Sequence, residues 1–449
     1  MNHARMLQHL YVPTIAFILQ ASPATAQWTL ETSWPQCDGA VFALTVDSVH
    51  DILYLGGEFT TVGGQSRAHI AALDATTGAV LDWAPEADGD VLDILVSGNS
   101  VYAAGLFANI GGQARNRIAE LSAATGQAAL WNPDADGTVR RIIRSGMWLY
   151  VAGDFNQIGG EERHRLAALD VSEGSATPWD PNASGNVFDM VIHDNAAYVG
   201  GFFTDIGTTP RNRLAAIDLS TGIATAWNPN ASGAVVCLAQ SGNTIYAGGF
   251  FTTAGGSARN RIVGLDAGTG GASPWNPNAD NAVQSIFVHD GNVCAGGLFN
   301  VIGGQSRPGM AAIDPAVGMA TSWAPMANAA MYAAAAYGPF LFTGGGFTTI
   351  TGQARAHLAV WSDGTTTVPE EPATPRTHTY MVPMDGLFAL PHADLHARSF
   401  TLVDMTGRRI RSGYTRATID LSALSPGHYT LITGNAHGQV ILRSRLMKP

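Results

Sequence analysis

The residues with the most chemistry to offer are acidic and fall in two short runs. "PEADGDVLD" carries Glu86, Asp88 and Asp90, and "NPDADG" carries Asp134 and Asp136. Alternating carboxylates of this kind could ligate Ca2+, a hard cation that takes several oxygen ligands. As an acid and base pair they could also hydrolyse a polymer. Asn182, Asn230 and Asn278 stand at the equivalent place further along, and ordinary Asx turns account for the same pattern. No other cofactor is suggested. His193 and His289 share one turn position, with no Ser or Cys nucleophile beside them. A second set of candidates is apolar. "RPGM" and "APMANAAM" place Arg307, Met310, Met326 and Met331 where the chain departs from its own pattern. That departure makes them the expected ligand contact.

The pattern is a repeat of 48 residues. Phe59, Phe107, Phe155, Phe203, Phe251, Phe299 and Phe347 fall in one column, and Gly57 begins a parallel column of glycines. Arg67, Arg115, Arg163, Arg211, Arg259, Arg307 and Arg355 make another. Trp83, Trp131, Trp179, Trp227, Trp275 and Trp323 make a fourth. Internal periodicity of this length means an array, a solenoid or a propeller. Within each unit, runs such as "VLDILVS" and "SVYAAGLF" alternate or cluster apolar residues between Gly, Asn, Asp and Pro. This is the grammar of strands and turns, without helical periodicity. Each unit therefore reads as four short strands, the blade of a β-propeller.

The seventh unit stops at "SDGTTTVPEEP" with its fourth strand missing, and "QWTLETSWP" (Gln27–Pro35) precedes the first. The expected fold is all-β: a seven-bladed propeller over 27–364 whose N-terminal strand closes the last blade. The Phe and Trp columns are expected to pack between blades. The Arg column either forks onto loop carbonyls and the Asp74-type aspartates or forms an anion site. His69 and His357 share a column and would be neighbours after closure. The long loops gather on one face, which is the natural binding surface.

The 449 residues carry a formal charge of −11. An acidic chain with no basic stripe argues against nucleic acid as a partner. Residues 1–26 read as an export signal, with Arg5, the apolar run "YVPTIAFIL" and small residues before a cleavage point after Ala26. That run is too short to span a bilayer, and no transmembrane segment follows. Cys37, Cys237 and Cys294 form at most one bridge. The latter two sit in apolar runs as small buried hydrophobes.

Three resemblances follow. "YVGGFF", "IGGQ", "RLAALD" and "WNPN" make the units similar to the delta-60-like repeats of secreted bacterial β-propellers. "AIDLSTGIATAW" (Ala216–Trp227) also resembles the tryptophan-docking motif of quinoprotein propellers, with one extra residue before Trp227. After a linker at 365–379, the stretches "SFTLVDMTGRRI", "TIDLSALSPGHYTLI" and "GQVILRSRLMKP" resemble the C-terminal sorting domain of the type IX secretion system of Bacteroidota-type bacteria, over 380–449. That likeness implies a small β-sandwich, export across the outer membrane, and the secretion machinery as a partner. The resulting expectation is a secreted or cell-surface module that binds a protein or a glycan. A secreted hydrolase or a structural surface-layer component is the alternative.

Overall fold

A computed structural model describes residues 28–363 and, further on, 379–381, 387–389, 399–404, 408–414, 418–420, 424, 427–434 and 440–448. The export signal and nearly all of the linker lie outside the described residues.

Among the described residues every regular element is a strand. The 48-residue unit folds as a three-stranded antiparallel sheet in sequence order. In the fourth unit the strands are Val187–His193, Ala196–Gly201 and Leu214–Asp218. A two-residue hairpin, Asp205–Ile206 with Thr209–Pro210, projects between the second and third. The other units repeat this, from Val41–Asp47 in the first to Leu358–Ser362 in the seventh.

The expected fourth strand is reduced in six units to one isolated bridge, as in Ile217↔Ala224 and Leu265↔Ala272. The reason lies in the residues that follow. Trp and Pro draw the chain out of the ladder, because Pro has no N–H to donate. The indole then crosses to the next unit. Trp83 Nε1 donates to Ser122 O at 3.0 Å, Trp131 to Asp170 O at 3.0 Å and Trp227 to Asp266 O at 2.9 Å. In the first five units the ring stands edge-on to a tyrosine of its own unit, with centroids 5.0 Å apart for Tyr198 and Trp227, while Trp323 stands edge-on to Trp361 of the seventh unit. The phenylalanine column is buried throughout.

The seventh sheet alone has a fourth strand, and it comes from the N-terminus. Thr29–Glu31 pairs antiparallel with Leu358–Ser362, Leu30 facing Trp361. Trp34 then supplies the indole that the repeat lacks. It packs edge-on to Phe342 at 5.3 Å and against Gly78, where a Cβ would stand 2.8 Å from its ring. Gly78 is also left-handed, at φ 75°, so a side chain is excluded twice. The arginine column behaves the same way. Arg259 Nη2 donates to Ser273 O and Arg307 Nη2 to Thr321 O, both at 2.6 Å, on the residue two before the tryptophan. Arg355 is buried and donates instead to Trp34 O at 2.8 Å, with Thr32 O at 3.4 Å. Tyr337 of the seventh unit also donates to Asp51 of the first.

Beyond residue 378 the described strands form two sheets. One has the order Thr379–Met381, Val440–Lys448, Gly427–Gly434, Ser399–Asp404, Arg409–Tyr414, and the other pairs Leu387–Ala389 with Thr418–Asp420. All three cysteines are free and buried. Burial pushes the Cys294 thiol up to about 12. Among the described residues no helix is long and apolar enough to cross a membrane.

Trp34→Ala should cost about 3–5 kcal/mol, as removal of a buried indole does, read from urea midpoints of the full chain. A loss below about 1 kcal/mol would show that the N-terminal segment does not hold the seventh sheet to the first.

Candidate functional site

The opening strand of every unit carries a β-bulge, between Val41 and Ala43 in the first and between Val139 and Arg141 in the third. A bulge re-aims side chains. Two consecutive residues per unit line one cavity of about 300 Å3, which meets the opening strands of all seven sheets. Along the second of these positions run Ala43, Asp93, Arg141, Asp189, Cys237, Ser285 and Ala333.

The polar side chains of this column stitch opening strands to their neighbours. Asp93 Oδ2 accepts from Ile142 N at 2.7 Å, Asp189 Oδ2 accepts from Leu238 N at 2.6 Å, and Ser285 Oγ donates to Met331 O at 2.8 Å. Arg141 lies between the two aspartates, with Nη1 3.3 Å from Asp93 and Nε 3.2 Å from Asp189. Burial raises both carboxyls above the ordinary aspartate value; Arg141 opposes the rise without cancelling it. Asp93 in turn raises the Arg141 guanidinium. Because the folded carboxyls titrate above the unfolded ones, the stability they lend is complete in acid. It falls as pH rises through the folded values.

At the end where the opening strands begin, the residue that follows each second strand forms a rim: Glu58, Leu106, Asp154, Phe202, Phe250, Leu298 and Gly346, with Asp154 and Gly346 beside the cavity residues Arg140 and Tyr332. Leu106, Phe202, Phe250 and Leu298 are 44%, 58%, 48% and 48% exposed. The bulge residue Arg140 lines the cavity and clamps Asp154 in the rim with two nitrogens, the shortest contact being 2.6 Å. A second column stands beside the rim. His69, Arg117, Arg165, Arg213, Arg261 and His357 all have positive φ, between 62° and 68°, and the sixth unit has Gly309 there at 73°. Non-glycine residues rarely adopt this conformation. Arg213 lies over the Phe202 ring, 4.4 Å from its centroid.

The residues expected to bind do not gather. Met310 and Met331 are fully buried in the core, Met326 is exposed, and Arg307 serves its own loop like its counterparts. Met310 and Met331 are thus packing residues of the core with no surface to offer a ligand. The acidic candidates are likewise occupied by loops. Asp88 Oδ1 accepts from Ala108 N at 2.7 Å and Asn109 N at 2.9 Å, and Asp136 does the same for Asn156 and Gln157. Burial works against the Asp88 charge, but these bonds prevail and hold its carboxyl below the usual range. Asp134 accepts from Asn116 Nδ2 at 2.7 Å, Glu86 occupies a turn at φ 52°, and Asp90 lies 3.3 Å from His69. Among the described residues no three His, Cys, Asp or Glu are placed to hold a metal ion.

His69 and His357 do share their column, each with Nδ1 3.1 Å from a carbonyl of the second strand. The four arginines between them were not singled out from the sequence. Their signal was the second Arg of "RNR" or "RHR", next to the more regular first.

No family model matches the chain, and no curated protein matches it. Solved structures are similar in fold. A chain in the crystal structure of the mitotic checkpoint complex is 13% identical with a TM-score of 0.51, and the match covers 81% of this chain and 99% of that one. The computationally designed Ika8 protein is 16% identical with a TM-score of 0.45, over 91% of this chain and 97% of its own.

Arg141→Met leaves two carboxylates facing each other. It should cost about 1–3 kcal/mol at neutral pH, less than for a fully buried pair, because 38% of the Arg141 side chain stays open to the cavity. The loss should shrink as pH is lowered toward the ordinary aspartate value of 3.8. Urea midpoints across pH check it, and a loss that grows in acid would refute this account of the triad.

Proposed function

We propose that this chain is an exported seven-bladed β-propeller that binds a protein or a glycan at the mouth of its central cavity. Seven repeated sheets, one cavity meeting all their opening strands, and a last sheet completed by the N-terminus support the propeller reading. The observation that carries the binding reading is a contrast between columns. The buried Phe column and the mostly half-buried Arg column are uniform because the fold needs them. The rim column varies and is exposed in five of its seven positions, yet three successive units place Phe202, Phe250 and Leu298 there. Exposed apolar groups grouped in this way mark an interaction surface. Hydrolysis has less support, since the candidate carboxylates are tied to loop amides.

The export reading rests on the leader at 1–26, the delta-60-like repeats and the likeness of 380–449 to a type IX sorting domain. The two sheets beyond residue 378 fit a small β-sandwich of that kind. Protein recovered from the medium or surface of the native bacterium should begin at Gln27 and lack 380–449 by mass spectrometry. Protein retained inside with both ends intact would reject export.

The full chain, applied to glycan and random-peptide arrays, should bind at least one class of probe. The triple variant Phe202→Ser, Phe250→Ser, Leu298→Ser should lose at least tenfold in affinity, with stability within about 0.5 kcal/mol because these are surface positions. Unchanged binding would remove the rim from the site, and reproducible hydrolysis of a probe would replace the binding reading with an enzymatic one.

A further inference from the structure

We infer that the rim over the fourth to sixth units takes an acidic polypeptide segment, with carboxylates set beside an apolar side chain. This rests on the reading that the rim is the binding surface, and it names the class of ligand.

The first argument is the arginine geometry. At the positive-φ position the fold accepts glycine, as Gly309 shows. A bulky side chain there is strained, and such strain collects at functional sites. Packing alone gives no reason for arginine in four units. Each of these arginines does make a local bond: Arg213 Nη1 donates to Phe203 O at 2.8 Å and Arg261 Nη1 to Phe250 O at 2.7 Å, and Arg117 and Arg165 also use Nη1 on their own loops. In all four, Nη2 has no hydrogen-bond partner among the described residues and is not among the buried unpartnered atoms. One nitrogen anchors the guanidinium and the other is left to water. That arrangement is a pre-positioned donor for an anion.

The second argument is how charge is distributed round the rim. The acids lie in the first three units: Glu58, Asp90 beside His69, and Asp154 beneath Arg140. In the fourth and fifth units the rim residue, the positive-φ residue and the residue before the opening strand are Phe202, Arg213 and Asn186, then Phe250, Arg261 and Ala234. None is acidic. In a chain with 35 acidic and 24 basic residues, this sector is basic and apolar, so it complements an acidic ligand and repels a basic one.

The third argument separates peptide from sugar. Pyranose rings need flat faces, and Arg213 already covers one face of Phe202. Leu298 offers no flat face, but it does suit an aliphatic or aromatic side chain.

The test is an array of random 12-residue peptides, probed with the full chain, with Arg213→Gly/Arg261→Gly, with Arg213→Gln/Arg261→Gln, and with Phe202→Ser/Phe250→Ser. Bound peptides should be enriched in Asp or Glu within three positions of Leu, Ile or Phe. Binding should fall at least tenfold in both arginine variants and weaken in high salt. The Gly pair should melt no lower than the parent, and the Gln pair serves if it does. Binding that depends on Phe202 and Phe250 but shows no acid preference overturns this inference and leaves the rim reading standing. Binding that ignores all the variants overturns both. Selective binding of oligogalacturonate, with no peptide bound, overturns the polypeptide class.

Discussion

No unit of this protein is complete without its neighbour. A three-stranded sheet of short strands has an apolar face on each side and cannot bury either alone. The tryptophan that leaves the ladder fills this need. It packs on its own tyrosine and bonds the carbonyl that ends the next third strand. The chain therefore loses a fourth strand and gains an inter-unit tie. Burying an indole is worth roughly 1.5–3 kcal/mol, repeated with its bond at the five junctions of Trp83, Trp131, Trp179, Trp227 and Trp275. Trp323, by contrast, is half-buried, packs on Trp361 and leaves its Nε1 unbonded. Trp34 and Arg355 matter because they make the same tie between chain ends. Without them one junction would lack its tie, and two sheet edges would be open to other chains.

Repetition also separates what the fold requires from what it leaves free. The glycines that end the second strand stand where a Cβ would strike backbone, 2.1 Å from Ala234 O at Gly249, and they recur without exception. Positions that face water or the cavity carry no such constraint and diverge. The cavity positions hold Asp93, Arg141, Asp189, Cys237 and Ser285, all different solutions to one task of bridging adjacent opening strands. Variation there follows local partners. Variation at the rim is only partly matched by partners within the fold, Glu58 by the Ala40 amide, Asp154 by Arg140 and Phe202 by Arg213.

The repeat, the sheet-and-turn grammar and the N-terminal segment that completes the seventh sheet were legible in the sequence, because buried columns recur at a fixed offset. The fourth strand was misread. "AALWNP" and its counterparts alternate like a strand, and only the indole's partner in the next unit shows why the ladder ends. The cavity residues were illegible for a different reason. The turn at Asp47–Asp51 is longer than its counterparts, so Phe42 and Ala43 fall out of register with the 48-residue frame. The rim arginines were hidden in plain view: nothing in "RNR" tells which arginine takes positive φ. Met310 and Met331 were misplaced because an apolar departure from a repeat can face inward as readily as outward.

The bulge connects these observations. By turning two consecutive side chains toward the cavity, it lets Arg140 and Arg141 do different work from adjacent positions. Arg141 neutralises Asp93 and Asp189 inside, while Arg140 reaches the mouth and clamps Asp154. In the third unit the rim residue is thereby taken up within the fold. In the fourth and fifth units the bulge residues are Phe188 and Val236, which cannot form such a clamp, and the rim residues are Phe202 and Phe250, left exposed. The asymmetry of the mouth thus originates at the first strand of each unit. It is maintained by the Arg140–Asp154 pair on one side and by apolar bulge residues that offer no such pair on the other.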